Sequence, residues 1–359
     1  MNVLVLHAYS ADNAGDGLLV HETIALIREA LGADTGLTVA ASHPETFSGL
    51  DARIVDSKPG RTGYAREYLK LLRSLSEFDL IVGVGGGYLR AGYPSEMAKT
   101  LLIHGPQLSA ANRTSTPTVY LPQSVGPANP LAAKFFARRI RGISRFFVRD
   151  DRSLDDYADV GVTRASDLAI LTAKPIDRLN LDVDSVPVVS VRAIRGEVSP
   201  LVVEFARQAG TFDGYVQSAT AGNDDTAAMT SVGARRILSR DDLMTPAPGS
   251  GVRVVVAVRL HAALMALRAG HFVIHLAYER KGFGAFQDLG LDGYVHNINK
   301  FEPARVVSQM QLLLDDPDVR KQYANDVDAA LRKSSEGRQA IVDELRSAAG
   351  ARATDGAHA

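Results

Sequence analysis

The sequence predicts an α/β protein of two Rossmann-like domains, each built on a parallel sheet covered by helices on both faces. Three observations predict it. Short valine-rich runs alternate with stretches whose apolar residues recur at helical spacing. The runs are apolar throughout rather than at every second residue, as strands buried on both faces are. The chain of 359 residues is also too long for one comfortable hydrophobic core.

Strands are expected over 2–7 (NVLVLH), 37–41, 79–84 (DLIVGV), 117–121 (PTVYL) and 145–149 (RFFVR) in the first half. In the second half they are expected over 187–192 (PVVSVR), 212–217 (FDGYVQ), 252–258 (VRVVVAV) and 271–276 (HFVIHL). Segments 18–31 and 66–75 carry a helical apolar pattern. The polar, proline-bearing segment 172–186 reads as a linker. This places one domain at 1–175 and a second at 176–350. The second carries a long charged helical stretch over 303–348, and residues 351–359 form a tail expected to be disordered.

Charge and composition exclude several classes. The formal net charge is -1, so no global field recruits nucleic acid or a membrane. There is no cysteine, which excludes disulfides and thiolate metal sites. The opening MNVLVLHAYS lacks the basic and long apolar regions of a secretory signal. The most apolar window, 252–278, is interrupted by arginines and histidines and makes no membrane span. The expectation is a cytoplasmic protein.

Five stretches place polar or glycine residues just past an apolar strand, where open parallel sheets bind ligands. In HAYSADNAGDGLLV, Asn13, Gly15 and Asp16 precede a helix. They offer N–H groups to an anion or a carboxylate to a hydroxyl, or Asp16 simply caps the helix. In IVGVGGGYL, Gly85, Gly86 and Gly87 admit close approach to the backbone, of a ligand or of a neighbouring strand. Neither the dinucleotide nor the P-loop spacing is met. In LPQSVGP, Gln123 and Ser124 are potential donors or parts of a proline-bracketed turn. In FFVRDDRSLDDY, Arg149 is a fork for a carboxylate or phosphate, or a surface partner of Asp150 or Asp151, and Ser153 reads as a helix cap.

The fifth stretch, RLHAALMALRAGHFVIHLAYERKGFG, is the most concentrated. Arg259 and His261 stand at a strand–helix junction, and Glu279, Arg280 and Lys281 follow the next strand. Such a cluster is costly to bury unless a ligand or ion pairing satisfies it. Arg192 adds a cation at the end of VVSVR. Gln217, Asp224 and Asp225 follow another strand, as bases, cation ligands or a solvated acidic loop. The remaining histidines read as structural or surface.

Taken in order, NAGDG, GVGGGYL, LPQSVGP, FFVRDDRSL, SVR and VRLHAALMALRAGHFVIHLAYERKGF resemble the polysaccharide pyruvyl transferase family. The resemblance spans residues 1 to about 300, as judged from these ordered blocks. It implies a two-domain arrangement similar to GT-B glycosyltransferases, with the active site in the cleft between the domains. It implies phosphoenolpyruvate as donor and a sugar of a cell-surface or extracellular glycan as acceptor, a lipid-linked oligosaccharide included. By motif match, His261 takes the place of the family's catalytic histidine, and Arg149 and Lys281 match positions that hold the donor's anionic groups. Gly17 departs from the larger residue common in relatives, and 193–215 is short for a complete strand–helix–strand unit.

The chemistry of that donor is consistent with these residues. Its carboxylate and phosphate need several cations and N–H donors, which Arg149, Arg192, Arg259, Lys281 and Gly85 to Gly87 can supply. His261 suits the proton transfer near neutral pH; Asp16 is the candidate partner of the acceptor. No step demands a metal or redox cofactor. No nucleic acid partner is expected, and membrane contact is expected only peripherally, at the inner face. Two alternatives stand beside this reading. One is a GT-B glycosyltransferase with a nucleotide-sugar donor, in which Glu279 would meet a ribose. The other is a non-catalytic binding protein of a glycan pathway.

Overall fold

The structure, a computed structural model, describes residues 1–173, 182–194, 196–218, 224–244 and 251–355. It divides into two compact units. The first comprises Met1–Ala11, Asp16–Thr172 and Ser335–Ala359, the second Asp12–Gly15 and Ala173–Ser334.

The first unit carries β1 (Asn2–Ala8), β2 (Gly36–Ala41), β3 (Arg53–Asp56), β4 (Leu80–Gly83), β5 (Gly86–Ala91), β6 (Thr118–Ala128), β7 (Arg145–Val148) and β8 (Thr163–Arg164). They form one parallel sheet in the order β3-β2-β1-β4-β6-β7-β8, with β5 paired to β6. Alternation along the strands feeds two cores. Val3, Val5, Leu80 and Val82 face helix Ala14–Leu31, whereas Leu4, Leu6 and Ile81 face helices Arg66–Arg73, Gly105–Ala111 and Pro130–Ile140. This is why the strands read as continuous apolar runs.

The second unit carries β9 (Val188–Ser190), β10 (Asp213–Tyr215), β11 (Ile237–Leu238), β12 (Val254–Ala257), β13 (Phe272–Ala277) and β14 (Val295–Asn297). The sheet is parallel in the order β11-β10-β9-β12-β13-β14. Its central strands β12 and β13 are buried along their whole length.

Each strand expected from the sequence is present. The unexpected ones are β3, β5, β8, β11 and β14. β3, β8, β11 and β14 are short and mostly at sheet edges, where exposure dilutes the apolar signal. β5 was masked by its glycines, and β6 runs on through the prolines of LPQSVGP instead of turning there.

The terminal stretch differs from the expectation that assigned it to the second domain. It is a helix over Pro317–Asp355 whose residues from Ser335 belong to the first unit. Ile341, Val342, Leu345 and Ala349 join the core beside helix Ala14–Leu31. The expected disordered tail is helical to Asp355, and 356–359 lie outside the described residues, as do 174–181 of the expected linker.

Buried histidines make this fold sensitive to acid. Burial pushes His104 down to about 3 and His275 down to about 4 from an ordinary 6.5, and it lowers His7 strongly. His275 accepts its place by pairing Nδ1 with the Ala257 carbonyl at 2.8 Å. Below the ordinary value the unfolded chain takes up protons that the folded chain refuses. The stability these groups contribute is thus complete above 6.5 and is lost as pH falls toward their folded values. Each histidine should cost about 1.4 kcal/mol per pH unit in that window. Urea unfolding measured across it should show the decline, and His275→Gln should flatten the slope by one histidine's share.

Candidate functional site

In the second sheet the strand order reverses between β9 and β12, the place where open parallel sheets bind ligands beyond their carboxyl ends. Four neighbouring strands deliver polar residues there. Arg192 follows β9, Gln217 and Ser218 follow β10, Arg259 and His261 follow β12, and Tyr278, Glu279 and Lys281 follow β13. The sequence placed most of these residues after strands; the sheet order makes them adjacent.

Arg259 is buried and held by Asp225 through both carboxylate oxygens, Nη2 to Oδ1 at 2.7 Å and Nε to Oδ2. Burial pushes the Asp225 carboxyl above its ordinary value, while Arg259 and Arg192 pull it back. Asp225 is therefore a buried, ion-paired carboxylate and not part of a solvated loop. Its backbone N–H donates to the Ser218 carbonyl at 2.8 Å, which ties the loop after β10 to the end of β12. Asp224 is exposed and accepts the Thr226 N–H through Oδ1 at 2.8 Å.

Arg192 donates from Nη1 to the Tyr278 hydroxyl at 2.6 Å, and its guanidinium lies 5.0 Å from the centre of that ring. Lys281 pairs with Glu279 at 2.9 Å, both half-buried at the start of helix Arg280–Asp288. Three buried side-chain oxygens on the same strand ends, Ser190 Oγ, Gln217 Oε1 and Ser218 Oγ, have no hydrogen-bond partner among the described residues. Such atoms are uncommon in folded proteins and mark places that water or a ligand completes.

His261 opens helix Leu260–Arg268 directly after β12. Its imidazole lies against the backbone of Gly15, which belongs to the second unit. A Cβ added at Gly15 would sit 2.3 Å from Nδ1 and 2.7 Å from the imidazole's own Cβ. Rotating the ring therefore cannot relieve the clash. The Gly15 N–H donates to Asn13 Oδ1 at 3.1 Å, and Asn13 bridges Ser218. Asn13 thus caps helix Ala14–Leu31, the role considered for Asp16. Asp16 lies half-buried in the first turn of that helix, in the first unit.

The first unit builds a separate cationic point. Arg149 follows β7 and is 4% exposed. It donates from Nη1 to Asp167 Oδ2 at 2.5 Å and from Nε to Ser124 Oγ at 3.0 Å. The surface partners considered from sequence are engaged elsewhere. Asp150 caps helix Asp151–Tyr157 at Ser153 N, and Asp151 pairs with Arg164. The cap is therefore Asp150, whereas Ser153 accepts the Val125 N–H. Arg149 Nη2 has no hydrogen-bond partner among the described residues. It lies 3.0 Å from where a Cβ on Gly87 would be.

The glycine run is accounted for by packing. A Cβ on Gly85 would meet the Pro122 carbonyl at 2.8 Å, and Gly86 has φ +146°. Gly85 and Gly87 thus admit β6 and Arg149. Gln123 is fully buried in β6, and its carbonyl receives the Arg149 N–H. Ser124 supports Arg149. Sequence reasoning missed Asp167, Tyr278, Ser190 and Ser218, and left Asp225 open between a base, a cation ligand and a solvated loop. Nothing local distinguishes them, because each matters only through a residue from another strand.

The two parallel-sheet α/β units have a fold similar to that of solved GT-B glycosyltransferases and epimerases. The chain is similar in fold to the UDP-GlcNAc 2-epimerase from Neisseria meningitidis, solved bound to UDP-GlcNAc. The two are 13% identical, with a TM-score of 0.56 over 96% of this chain and 99% of that one. It is also similar to a variant of the O-GlcNAc transferase of Thermobaculum terrenum, at 12% identity and a TM-score of 0.53 over 98% of this chain and 69% of that one. No curated protein matches the chain. The family model for polysaccharide pyruvyl transferase matches residues 13–213, and the chain belongs to that family. The match takes in Asn13, Gly15, Asp16, Gly85 to Gly87, Gln123, Ser124, Arg149 and Arg192, and it ends before Arg259, His261, Glu279 and Lys281.

The two arginine clamps have a measurable consequence. Asp167→Ala would strand the buried Arg149 charge and should cost about 3–5 kcal/mol of stability, read by denaturant unfolding. Gly15→Ala should cost about 1–3 kcal/mol through overpacking and shift the His261 ring resonances, read by NMR.

Proposed function

We propose that the protein transfers the pyruvyl group of phosphoenolpyruvate onto a sugar of a cell-surface or extracellular polysaccharide, forming a ketal and releasing phosphate. Family membership supports the reaction class. The observation that carries the reading within the chain is the cationic rim of the second sheet. There Arg192 and Arg259 share the field of one buried carboxylate, with a single imidazole, His261, two residues from Arg259.

On this reading Arg192, Arg259 and Lys281 provide the second unit's cations for the donor's carboxylate and phosphate, and Arg149 is the first unit's anion anchor. His261 gives its proton to the methylene carbon of the donor. The neighbouring carbon gains oxocarbenium character, and a sugar hydroxyl adds to it. The carbon–oxygen bond to phosphate then breaks, and a second hydroxyl closes the ketal. Two hydroxyl protons are released, one replacing the proton taken by the methyl group and one leaving with phosphate. Asp16 is the proposed group that orients or deprotonates the acceptor. The unpartnered oxygens of Ser190, Gln217 and Ser218 add polar positions for a sugar or the donor.

The direct test incubates the protein with phosphoenolpyruvate and a panel of lipid-linked or nitrophenyl sugars, and follows phosphate release and the pyruvyl mass increment. His261→Ala should lower turnover by about 10²–10⁴, the usual effect of losing a general acid, with the fold retained. Arg149→Lys should weaken donor use, because an ammonium cannot keep the planar fork. Full turnover by His261→Ala, or nucleoside diphosphate release from a sugar nucleotide in place of phosphate release, would overturn the proposal.

A further inference from the structure

A chain with 40 basic and 41 acidic residues distributes them unevenly. Residues 97–149 contain eight Lys or Arg and no Asp or Glu. Within the first unit this stretch covers most of helix Pro94–Ile103, whose first turn carries Glu96 paired with Arg90, and helices Gly105–Ala111 and Pro130–Ile140. The last two pack Leu108, Ala111, Ala132, Phe136 and Ile140 into the same core, so they lie on one face of the sheet. Two side-chain contacts hold the helices together at either end. Asn129 reaches Met97 Sδ at 3.5 Å, and Asn112 donates to the Arg139 carbonyl at 2.9 Å.

Exposed apolar and basic side chains both occur on and beside these helices. Tyr93, Leu101, Leu102 and Leu131 are 59%, 36%, 54% and 75% exposed, four of the eight large hydrophobic residues exposed in the described chain. On helix Pro130–Ile140, Leu131, Lys134 and Arg138 fall at i, i+3 and i+7, one exposed stripe opposite the buried Ala132, Phe136 and Ile140. Arg141, Arg145 and Arg149 are paired with Asp159, Glu344 and Asp167. Lys134, Arg138 and Arg113 are exposed and make no ion pair among the described residues. Burial, then Arg113 and Arg138, pulls the Arg139 guanidinium below its ordinary value, so like charges crowd here.

We infer that this face is a docking surface for an anionic phospholipid bilayer, with Leu131 and Leu102 entering the interfacial region and Lys134, Arg138 and Arg113 meeting the headgroups. Exposed leucines beside unpaired cations are the chemistry of a helix that lies on a charged membrane. A nucleic-acid surface would have the cations without needing the leucines. No helix among the described residues is long and apolar enough to cross a membrane, so the contact is superficial. The inference is independent of the donor and of the chemistry proposed above.

The experiment is co-sedimentation of the full chain with vesicles of phosphatidylglycerol and phosphatidylcholine, against pure phosphatidylcholine, over a series of salt concentrations. Binding should need the anionic lipid and weaken with salt. Lys134→Glu with Arg138→Glu should lower it at least about tenfold. Leu102→Ser with Leu131→Ser should lower it about tenfold or more while leaving the salt dependence. All four positions are exposed, and unchanged thermal unfolding confirms that the variants fold. Three results would overturn the inference: no binding to anionic vesicles at low salt, equal binding by both double variants, or tighter retention of duplex DNA that the leucine variants leave unchanged.

Discussion

A guanidinium removed from water at the end of a strand keeps its charge, and burying it is costly unless a carboxylate comes with it. Arg259 and Arg149 are both in that position, and Asp225 and Asp167 are the carboxylates. Each pair ties the end of one element to a loop from another. Each also leaves its arginine oriented rather than free to swing. A cation that must receive an anion gains from this, because the ordering is complete before the anion arrives. The pairs are not simple stabilisers, since burying both ions costs much of what their attraction returns. Their main consequence is geometric.

The two units solve this problem with different neighbours. In the second, the pair lies among residues from four adjacent strand ends, and the Arg192–Tyr278 contact braces a second cation across the same rim. His261 packs against the Gly15 backbone. In the first unit, Ser124 completes the hold on Arg149, and Gly87 leaves room beside the remaining nitrogen. Buried histidines serve a different purpose. His7, His104 and Tyr88 stack where β1 ends and β5 begins, and His275 fills the space over Gly282. Burial keeps them neutral, which suits packing and excludes them as acids near neutral pH.

Much of the fold was legible because parallel strands buried on both faces leave an unbroken apolar signature. β9, β10, β12 and β13 announce themselves in this way. The weak, short strands β8, β11 and β14 do not, because two or three residues at an edge carry too little burial to bias composition. Among the site residues, Arg192, Arg259, His261 and Lys281 were legible as polar groups placed just past strands. Asp225 was visible, but its role stayed open. An acidic loop and a buried counter-ion have the same local sequence, and only the partner tells them apart. Ser153 shows the same limit at short range, since Asp150 took the cap and left it to bind β6.

The sequence by itself determined that the chain forms parallel α/β sheets, that its polar residues cluster at their carboxyl ends, and that one histidine opens a helix beside an arginine. These are local or periodic properties, written within a dozen residues. Tertiary structure alone decided which residues meet: Asp225 with Arg259, Asp167 with Arg149, Gly15 with His261, and Ile341 to Ala349 of the terminal helix with the first core. Strand order sets those meetings, and strand order follows from the packing of helices far apart in the chain. No local pattern encodes it.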